Sequence, residues 1–209
     1  MSVYLYIPNL IGYVRVILLV VCYCTFDINP SLFYGSYLIS FFLDAADGIA
    51  ARYFNQCSDF GAILDMLTDR VATLMLAFIA VQIPGAEYKW AIVLFSCLDI
   101  IGHWCQYIAA AWLAKHHKEV KNKFKILDIY YSNKPMLAIL CMTAEFFFLS
   151  YIYYYTYKPV NLLFMCFFIL NTILCYFKCF LNLLQLINGA MQIVDKEDLI
   201  KKSEGSKIK

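Results

Sequence analysis

Apolar residues occur along this chain in six long segments, and charged residues, prolines and glycines fall mainly between them. The segments cover residues 10–26, 31–54, 60–83, 89–114, 134–157 and 160–188. A helix needs about 20 predominantly apolar residues to cross a bilayer, and each segment is close to that length. The pattern therefore predicts an all-α, polytopic membrane protein with six transmembrane helices in one domain over residues 1–190, followed by a basic tail over residues 191–209.

Basic residues are distributed unevenly over the connections between these segments. They follow the second segment at Arg52, the fourth at residues 115–125 and the sixth at residues 196–209, whereas the other connections are short and poor in lysine and arginine. Because cytoplasmic loops carry an excess of Lys and Arg, this distribution predicts that both termini lie in the cytosol. The basic loop 115–125 would then lie near anionic lipid head groups.

Composition supports a membrane protein and excludes several other classes. Of the 209 residues, 63% are hydrophobic and only 15% are charged, a balance that a soluble domain could not accommodate. The nine cysteines form no CxxC pair, so neither a disulfide framework nor a zinc site is expected. The formal net charge of +2 gives no reason to expect a nucleic-acid partner. Membrane lipid is the expected partner, and the membrane-embedded helices must carry the function.

Four aspartates interrupt the otherwise apolar second and third segments: Asp44 and Asp47 in the second, and Asp65 and Asp69 in the third. An aspartate in the middle of a membrane helix costs roughly 2.5–3.5 kcal/mol, so a set of four requires compensating cations. Spacings of three and four residues place each pair on one helix face. If the two helices form a hairpin with its turn near residues 55–58, we expect all four carboxylates to converge.

Carboxylates without histidine or cysteine nearby are ligands that suit Mg²⁺ or Mn²⁺, and one or two such ions could bind a pyrophosphate. The small residues Gly48, Ala51 and Gly61 would let a nucleotide or a neighbouring backbone approach closely. Arg52 could neutralise a phosphate.

One alternative is a structural hairpin in which the acids pair with Arg52 and Arg70. A second is a cation transporter, since acids in membrane helices also mark ion pathways; it is disfavoured because the acids lie on one side and no broken helices or inverted repeat are evident.

The segment from Asp44 to Asp69 reads D-x2-D-G-x2-A-R-x8-G-x3-D-x3-D. It resembles, at every defined position, the signature of the CDP-alcohol phosphotransferase family. The resemblance implies a six-helix fold, usually a homodimer, that displaces CMP from a CDP-linked substrate with the help of two divalent ions, Mg²⁺ or Mn²⁺. It also implies an integral membrane protein of the endoplasmic reticulum whose active site faces the cytosol.

Site roles follow from the same resemblance, position by position. Asp44, Asp47, Asp65 and Asp69 would bind the metal ions, and Asp69 would also be the catalytic base that deprotonates the acceptor hydroxyl. An alcohol is a poor nucleophile and needs such a base at the moment of attack, while metal ions can stabilise the departing CMP. The residues expected to contact CDP-diacylglycerol are Gly48, Ala51, Arg52, Ser58 and Gly61.

Three further stretches, residues 6–15, 64–70 and 130–135, resemble the members of this family that transfer a phosphatidyl group to myo-inositol; Asn133 departs from their pattern. The resemblance implies myo-inositol as the acceptor, with glycerol 3-phosphate, serine, choline and ethanolamine as the acceptors of rival members. A polyol needs many hydrogen-bonding partners. The candidates for inositol binding are polar residues near helix ends: Arg70, Asp99, His103, Ser132 and Lys134. For Asp99 and His103, one helical turn apart, an internal hydrogen bond that fixes helix packing is the alternative.

Overall fold

A computed structural model of the chain describes residues 2–114 and 122–207, and every regular element within those ranges is a helix. A short 3₁₀ helix, Val3–Leu5, precedes seven α-helices. They are α1 (Ile7–Thr25), α2 (Pro30–Tyr53), α3 (Asp59–Gln82), α4 (Lys89–Ala114), α5 (Lys125–Ser132), α6 (Lys134–Tyr157) and α7 (Leu162–Lys207). The all-α class predicted from the hydrophobic pattern is confirmed for the described residues.

Each predicted segment corresponds to one helix, but the structure differs from the prediction in one additional helix and in one helix end. The short helix α5 was not predicted, because its eight residues mix polar and apolar side chains. Helix α7 continues to Lys207, well beyond the predicted end at residue 188. Residues 190–204 contain neither proline nor glycine and include three Lys and two Glu together with Ala190, Met191, Gln192 and Leu199, all of which favour helix, so the apolar span continues directly into a polar helical extension.

Among the residues that the structure describes, four helices are long and apolar enough to cross a membrane: α1, residues 89–112 of α4, α6, and residues 162–198 of α7. The chain is therefore an integral membrane protein. The 24-residue helices α2 and α3 are also long enough, but they do not meet the same criterion of apolarity. The reason is their charged residues, which include the four aspartates singled out above.

The chain divides into two compact units, residues 1–79 and residues 80–209. In the first unit, Asn29 caps α2 by accepting a hydrogen bond from the amide of Leu32 (3.1 Å). Helix α2 ends at Tyr53, and Asn55 adopts a left-handed backbone (φ 53°) in the turn that follows. At the start of α3, the Ser58 hydroxyl accepts a hydrogen bond from the amide of Gly61 (3.1 Å). These local contacts define the turn between α2 and α3, at the position where the sequence predicted the turn of a hairpin.

Helices α1 and α2 pack along one face of each. The buried residues are adjacent or recur at intervals of three, four or seven; they are Pro8, Asn9, Gly12, Arg15, Leu19 and Cys22 on α1 and Phe33, Ser36, Tyr37, Ser40 and Asp47 on α2. This spacing is that of a single helix face. The apolar packing face of each helix therefore also contains a buried charged residue, Arg15 on α1 and Asp47 on α2.

In the second unit, α7 packs against α4 and α6. A methyl group at Gly102 of α4 would lie 2.6 Å from the backbone oxygen of Asn182, and one at Gly189 of α7 would lie 2.8 Å from the backbone of Cys105. Glycine at both positions therefore permits the close approach of α4 and α7, as is common between membrane helices. Helix α5 joins α6 and α7 in a small core formed by Leu127, Tyr130, Leu140 and Leu181.

Candidate active site

The four aspartates of α2 and α3 converge on one buried guanidinium group, that of Arg15 in α1. Its Nη1 atom lies 3.0 Å from Asp47 Oδ2 and 2.9 Å from Asp65 Oδ1. Its Nη2 atom lies 2.6 Å from both Asp44 Oδ1 and Asp69 Oδ1. The convergence that the helical spacings predicted is therefore present.

The cation at the centre of this cluster is not the one that sequence reasoning named. The structural alternative paired the acids with Arg52 and Arg70. No ion pair of Arg52 is found among the described residues, and Arg70 Nη2 lies 3.8 Å from Asp69 Oδ2, a longer distance than any of the four that Arg15 makes. That pairing is corrected: Arg15 takes the central position. A signal was present in the sequence, because Arg15 is the one charged residue of α1 and shares a face with Gly12 and Leu19.

The cluster has the composition and charge of a divalent-cation site. Carboxylate oxygens of Asp44, Asp47 and Asp65 lie within 4.8 Å of one another. Ligands on opposite sides of an octahedral Mg²⁺ are about 4 Å apart, so a small contraction would let these oxygens share an ion. Four carboxylates and one guanidinium sum to a formal charge of −3 (−4 + 1), which leaves a large surplus of negative charge. The residues present fit a divalent metal, and the ligand roles stay predictions.

A cavity of about 170 Å³ opens beside these acids within the first unit, lined by residues of α1, α2, α3 and the α2–α3 turn. Its lining includes Asp47 and Asp65. It also includes four of the five residues predicted to contact the nucleotide lipid: Gly48, Ala51, Ser58 and Gly61. A ligand in this cavity would therefore lie against the carboxylate cluster.

The two glycines of the signature have different surroundings. A methyl group at Gly61 would lie 2.8 Å from Asn9 Oδ1 and 3.1 Å from Ser58 Oγ, so glycine is needed there for packing. A methyl group at Gly48 would meet only the end of the Arg52 side chain, at 3.7 Å from Nη1. Gly48 lines the cavity, and the guanidinium of Arg52 lies next to Gly48. Arg52 is therefore at the rim of the cavity, although it does not line the cavity itself. Packing within the chain therefore explains why position 61 requires glycine, but it gives no reason for glycine at position 48.

The residues predicted to contact inositol differ in their surroundings. Asp99 is buried; its side chain accepts a hydrogen bond from Asn182 (3.0 Å), and its backbone carbonyl accepts one from His103 Nδ1 (2.7 Å). These contacts support the packing alternative for that pair. The Ser132 hydroxyl donates to the backbone of Ile129 (3.2 Å), and Lys134 is exposed. An inositol-binding role for these residues, and for Arg70 beside Asp69, stays a prediction.

Asn133, the residue that departs from the pattern of the inositol-specific members, has a structural role. Its side chain accepts a hydrogen bond from the amide of Met136 (3.1 Å) and so caps the N-terminus of α6, directly before Lys134 and Pro135. Asparagine is among the preferred residues at such a cap. Asn133 is therefore compatible with the start of α6 through local helix capping.

Helix α7 contains a polar stripe that sequence reasoning missed. Its buried members recur every three, four or seven residues: Asn171, Lys178, Asn182, Gln185, Asn188, Gln192 and Lys196. Lys178 donates to the Tyr130 hydroxyl (2.7 Å), and Gln185 donates to the Tyr131 hydroxyl (2.8 Å). Burial raises the pKa of Tyr131. The periodicity of polar residues in an otherwise apolar segment was the available signal.

Comparison with known proteins gives consistent results. Residues 5–184 match the family described as CDP-alcohol phosphatidyltransferase. The chain is 35% identical over 197 residues to CDP-diacylglycerol–inositol 3-phosphatidyltransferase of Candida albicans, covering 91% of this chain and 82% of that protein. It is 40% identical over 167 residues to a probable enzyme of the same name from Arabidopsis thaliana (78% and 72% covered). It is 36% identical over 163 residues to the Homo sapiens enzyme of that name (76% and 76% covered). No solved structure matches the chain.

Proposed function

The chain belongs to the CDP-alcohol phosphatidyltransferase family, and we propose that it transfers the phosphatidyl group of CDP-diacylglycerol to myo-inositol, giving phosphatidylinositol and CMP. The observation that carries the proposal is the convergence of Asp44, Asp47, Asp65 and Asp69 beside a cavity lined by the small residues of the family signature. The names of the relatives support inositol as the acceptor, because each names that substrate.

Members of the family generally use divalent metals, and the carboxylate cluster provides a suitable set of ligands. We assign Asp44, Asp47 and Asp65 as ligands, with Asp69 as a further ligand at the edge of the group. Two ions, Mg²⁺ or Mn²⁺, would supply the positive charge that binds the pyrophosphate and stabilises the charge developing on the leaving CMP.

Asp69 is the proposed catalytic base. Its Oδ1 atom lies 2.6 Å from Arg15 Nη2, and its Oδ2 atom lies 3.8 Å from Arg70 Nη2. In the proposed reaction, an inositol hydroxyl oxygen attacks the lipid-side phosphorus and a new P–O bond forms. The bond from that phosphorus to the oxygen bridging it to CMP breaks, and the hydroxyl proton passes to Asp69. General-base assistance of this kind contributes typically about 10²–10⁴-fold in rate.

The cavity beside the cluster is the proposed site for the cytidine diphosphate portion of the lipid. Gly48 and Ala51 provide space on α2, and Ser58 and Gly61 border the same space at the start of α3. Arg52, at the rim next to Gly48, would pair with a phosphate. The Ser58 oxygen already accepts the Gly61 amide, so its hydroxyl proton is the part that could contact the ligand.

Placement in the membrane completes the proposal. We propose that α2 and α3 span the bilayer together with α1, α4, α6 and α7, giving six spans, with the active site and both termini in the cytosol. The neutralisation of the acids by Arg15 and by bound ions would lower the cost of burying α2 and α3 in lipid. The endoplasmic reticulum and a homodimer are the location and assembly that membership of the family suggests.

An acceptor panel tests the proposed function. Purified protein receives CDP-diacylglycerol and Mn²⁺ with labelled myo-inositol, serine, glycerol 3-phosphate or no acceptor in parallel reactions. We expect CMP release and lipid labelling with inositol alone. Labelling by serine or glycerol 3-phosphate instead would leave the metal site in place and reject the assigned acceptor. Cation transport requires none of these products, so their formation would also exclude the transporter alternative.

A further inference from the structure

The first unit of the protein has few cations for its acids. Residues 1–79 contain six aspartates and three arginines, with no lysine or glutamate. Four of the aspartates meet in one cluster, and of the three arginines Arg15 contacts all four. Because Arg15 is itself buried, its charge is hardly screened by solvent. The stability of the cluster without metal must therefore depend strongly on this one side chain.

The contacts of Arg15 are arranged as a bridge between two helices. Nη1 binds one carboxylate of α2, Asp47, and one of α3, Asp65. Nη2 does the same with Asp44 of α2 and Asp69 of α3. Only a planar, forked guanidinium can bind four carboxylates in this way, since the lysine ammonium has three donors on a single atom.

We propose that Arg15 is a positioning residue that acts as the resident counter-ion of the metal-free site, gathering the four carboxylates until divalent ions take over that role. The inference rests on the proposed function, because it assumes that the same carboxylates bind divalent ions. It adds a role for a residue of α1, outside the aspartate signature, in a reaction assigned to α2 and α3.

Thermodynamic linkage predicts the direction in which Arg15 changes the affinity of the site for metal ions. Arg15 and divalent ions are attracted to the same carboxylates and repel one another. The part of the Arg15 contribution to stability that is lost when ions bind weakens metal binding by the same factor, because coupling between two binding events is reciprocal. If ions replace Arg15, removing the guanidinium must lower the stability of the protein more in EDTA than in Mn²⁺, and must strengthen metal binding by that difference. A residue that only packed α1 against α2 would show no such dependence on metal.

The test uses full-length purified protein and two measurements that do not involve catalysis. The first is the thermal unfolding midpoint, Tm, in EDTA and in Mn²⁺; the second is the Mn²⁺ affinity from electron paramagnetic resonance of the free ion. The variants are Arg15→Gln, which removes the charge, and Arg15→Lys, which keeps the charge but not the fork. The matched control is Arg52→Gln, which removes an arginine of the same unit that has no ion pair with the four aspartates.

For Arg15→Gln we expect Tm in EDTA to fall by about 5 °C or more, since four carboxylates lose their shared partner. Mn²⁺ should restore most of that loss, and the dissociation constant for Mn²⁺ should fall about tenfold, within the usual range of coupling between sites. Arg15→Lys should show the same signs with smaller changes. Arg52→Gln should lower Tm little, and by the same amount with and without Mn²⁺.

Two outcomes would overturn the proposal. An equal loss of Tm in EDTA and in Mn²⁺ would make Arg15 a packing residue, and weaker Mn²⁺ binding in Arg15→Gln would place its role in the metal-bound state. If Arg15→Gln does not fold, Arg15→Lys decides, because its gain in Tm from Mn²⁺ must exceed that of the unmodified protein. Wild-type inositol transfer is measured in parallel. If inositol is transferred but Arg15→Gln shows neither the metal-dependent loss of Tm nor the tighter Mn²⁺ binding, this inference alone is rejected. If those two changes occur without inositol transfer, the proposed function alone is rejected. Absence of Mn²⁺ binding rejects both.

Discussion

Asp69 and Arg15 are 54 positions apart in the sequence, yet Asp69 Oδ1 lies 2.6 Å from Arg15 Nη2 in the folded chain. The second oxygen of the same carboxylate, Oδ2, lies 3.8 Å from Arg70. One oxygen of the proposed base therefore contacts α1 closely, and the contact of the other oxygen with Arg70 is longer. The two oxygens of the carboxylate are thus in different surroundings, as a group that both binds a cation and accepts a proton requires.

The first prediction concerns the base. Asp69→Asn should lower the rate of CMP release by about 10²–10⁴-fold, because the amide cannot accept the hydroxyl proton. The amide oxygen can still accept a hydrogen bond from Arg15, so the fold and the CDP-diacylglycerol site should survive. Binding of CDP-diacylglycerol is measured by titration beside the rate. Loss of binding in proportion to the rate would show that Asp69 acts in substrate binding rather than as a base.

The second prediction concerns a proposed metal ligand. Asp47→Ala should weaken binding of Mn²⁺ and of CDP-diacylglycerol together, because the ion would bridge the protein and the pyrophosphate. Asp59→Ala is the matched control: Asp59 is exposed in the first turn of α3 and belongs to neither the ion cluster nor the cavity. Calorimetric titration with Mn²⁺ provides the comparison. Unchanged Mn²⁺ affinity in Asp47→Ala would remove Asp47 from the set of ligands.

The third prediction separates the two signature glycines. Gly61→Ala places a methyl group 2.8 Å from Asn9 Oδ1, and buried Asn9 is held by its own bond to the backbone of Val3, so the free energy of unfolding should fall by about 1–3 kcal/mol. Gly48→Ala meets no such contact and, because alanine favours helix more than glycine does, should not lower Tm. Its effect should instead be a higher KM for CDP-diacylglycerol, since the methyl group enters the cavity. An unchanged KM in Gly48→Ala would argue against the proposed nucleotide site.

The fourth prediction concerns the second unit. Gly102→Ala should destabilise the protein, because the new methyl group would lie 2.6 Å from the backbone oxygen of Asn182, and a backbone atom cannot rotate away. The expected loss is about 1–3 kcal/mol, and Mn²⁺ affinity should not change. Gly35→Ala is the control, since no atom lies within 4 Å of the added methyl group. Equal Tm values for the two variants would contradict the close approach of α4 and α7.

Helical periodicity made part of this structure predictable. The spacing of Asp44, Asp47, Asp65 and Asp69 fixes which helix face each carboxylate occupies, and a short turn between two helices brings the faces together. Those features depend on residues close in sequence. Arg15 was missed because its partners lie 29 to 54 positions away, and nothing local to α1 specifies which acids it meets.

Three other features could not be predicted from the pattern of apolar residues: the polar stripe of α7, the end of α7 and helix α5. The buried stripe of Lys178, Asn182 and Gln185 lies within a long apolar run, so it was included in a membrane span without separate attention. The end of α7 was misplaced because hydropathy detects where a span ends, whereas a helix continues as long as its residues favour it. Helix α5 is held by packing against α6 and α7, which a short mixed sequence does not reveal.

The stoichiometry of the reaction with purified protein, CDP-diacylglycerol, Mn²⁺ and labelled myo-inositol tests the proposed transfer to inositol most directly. CMP released and label entering lipid are measured in the same samples, with EDTA and with Asp69→Asn as parallel controls. We predict one CMP for each inositol incorporated, no product in EDTA, and formation of both products about 10²–10⁴-fold slower with Asp69→Asn. CMP release without labelled lipid, or labelled lipid that persists in EDTA, would contradict a metal-assisted transfer to inositol by these four carboxylates.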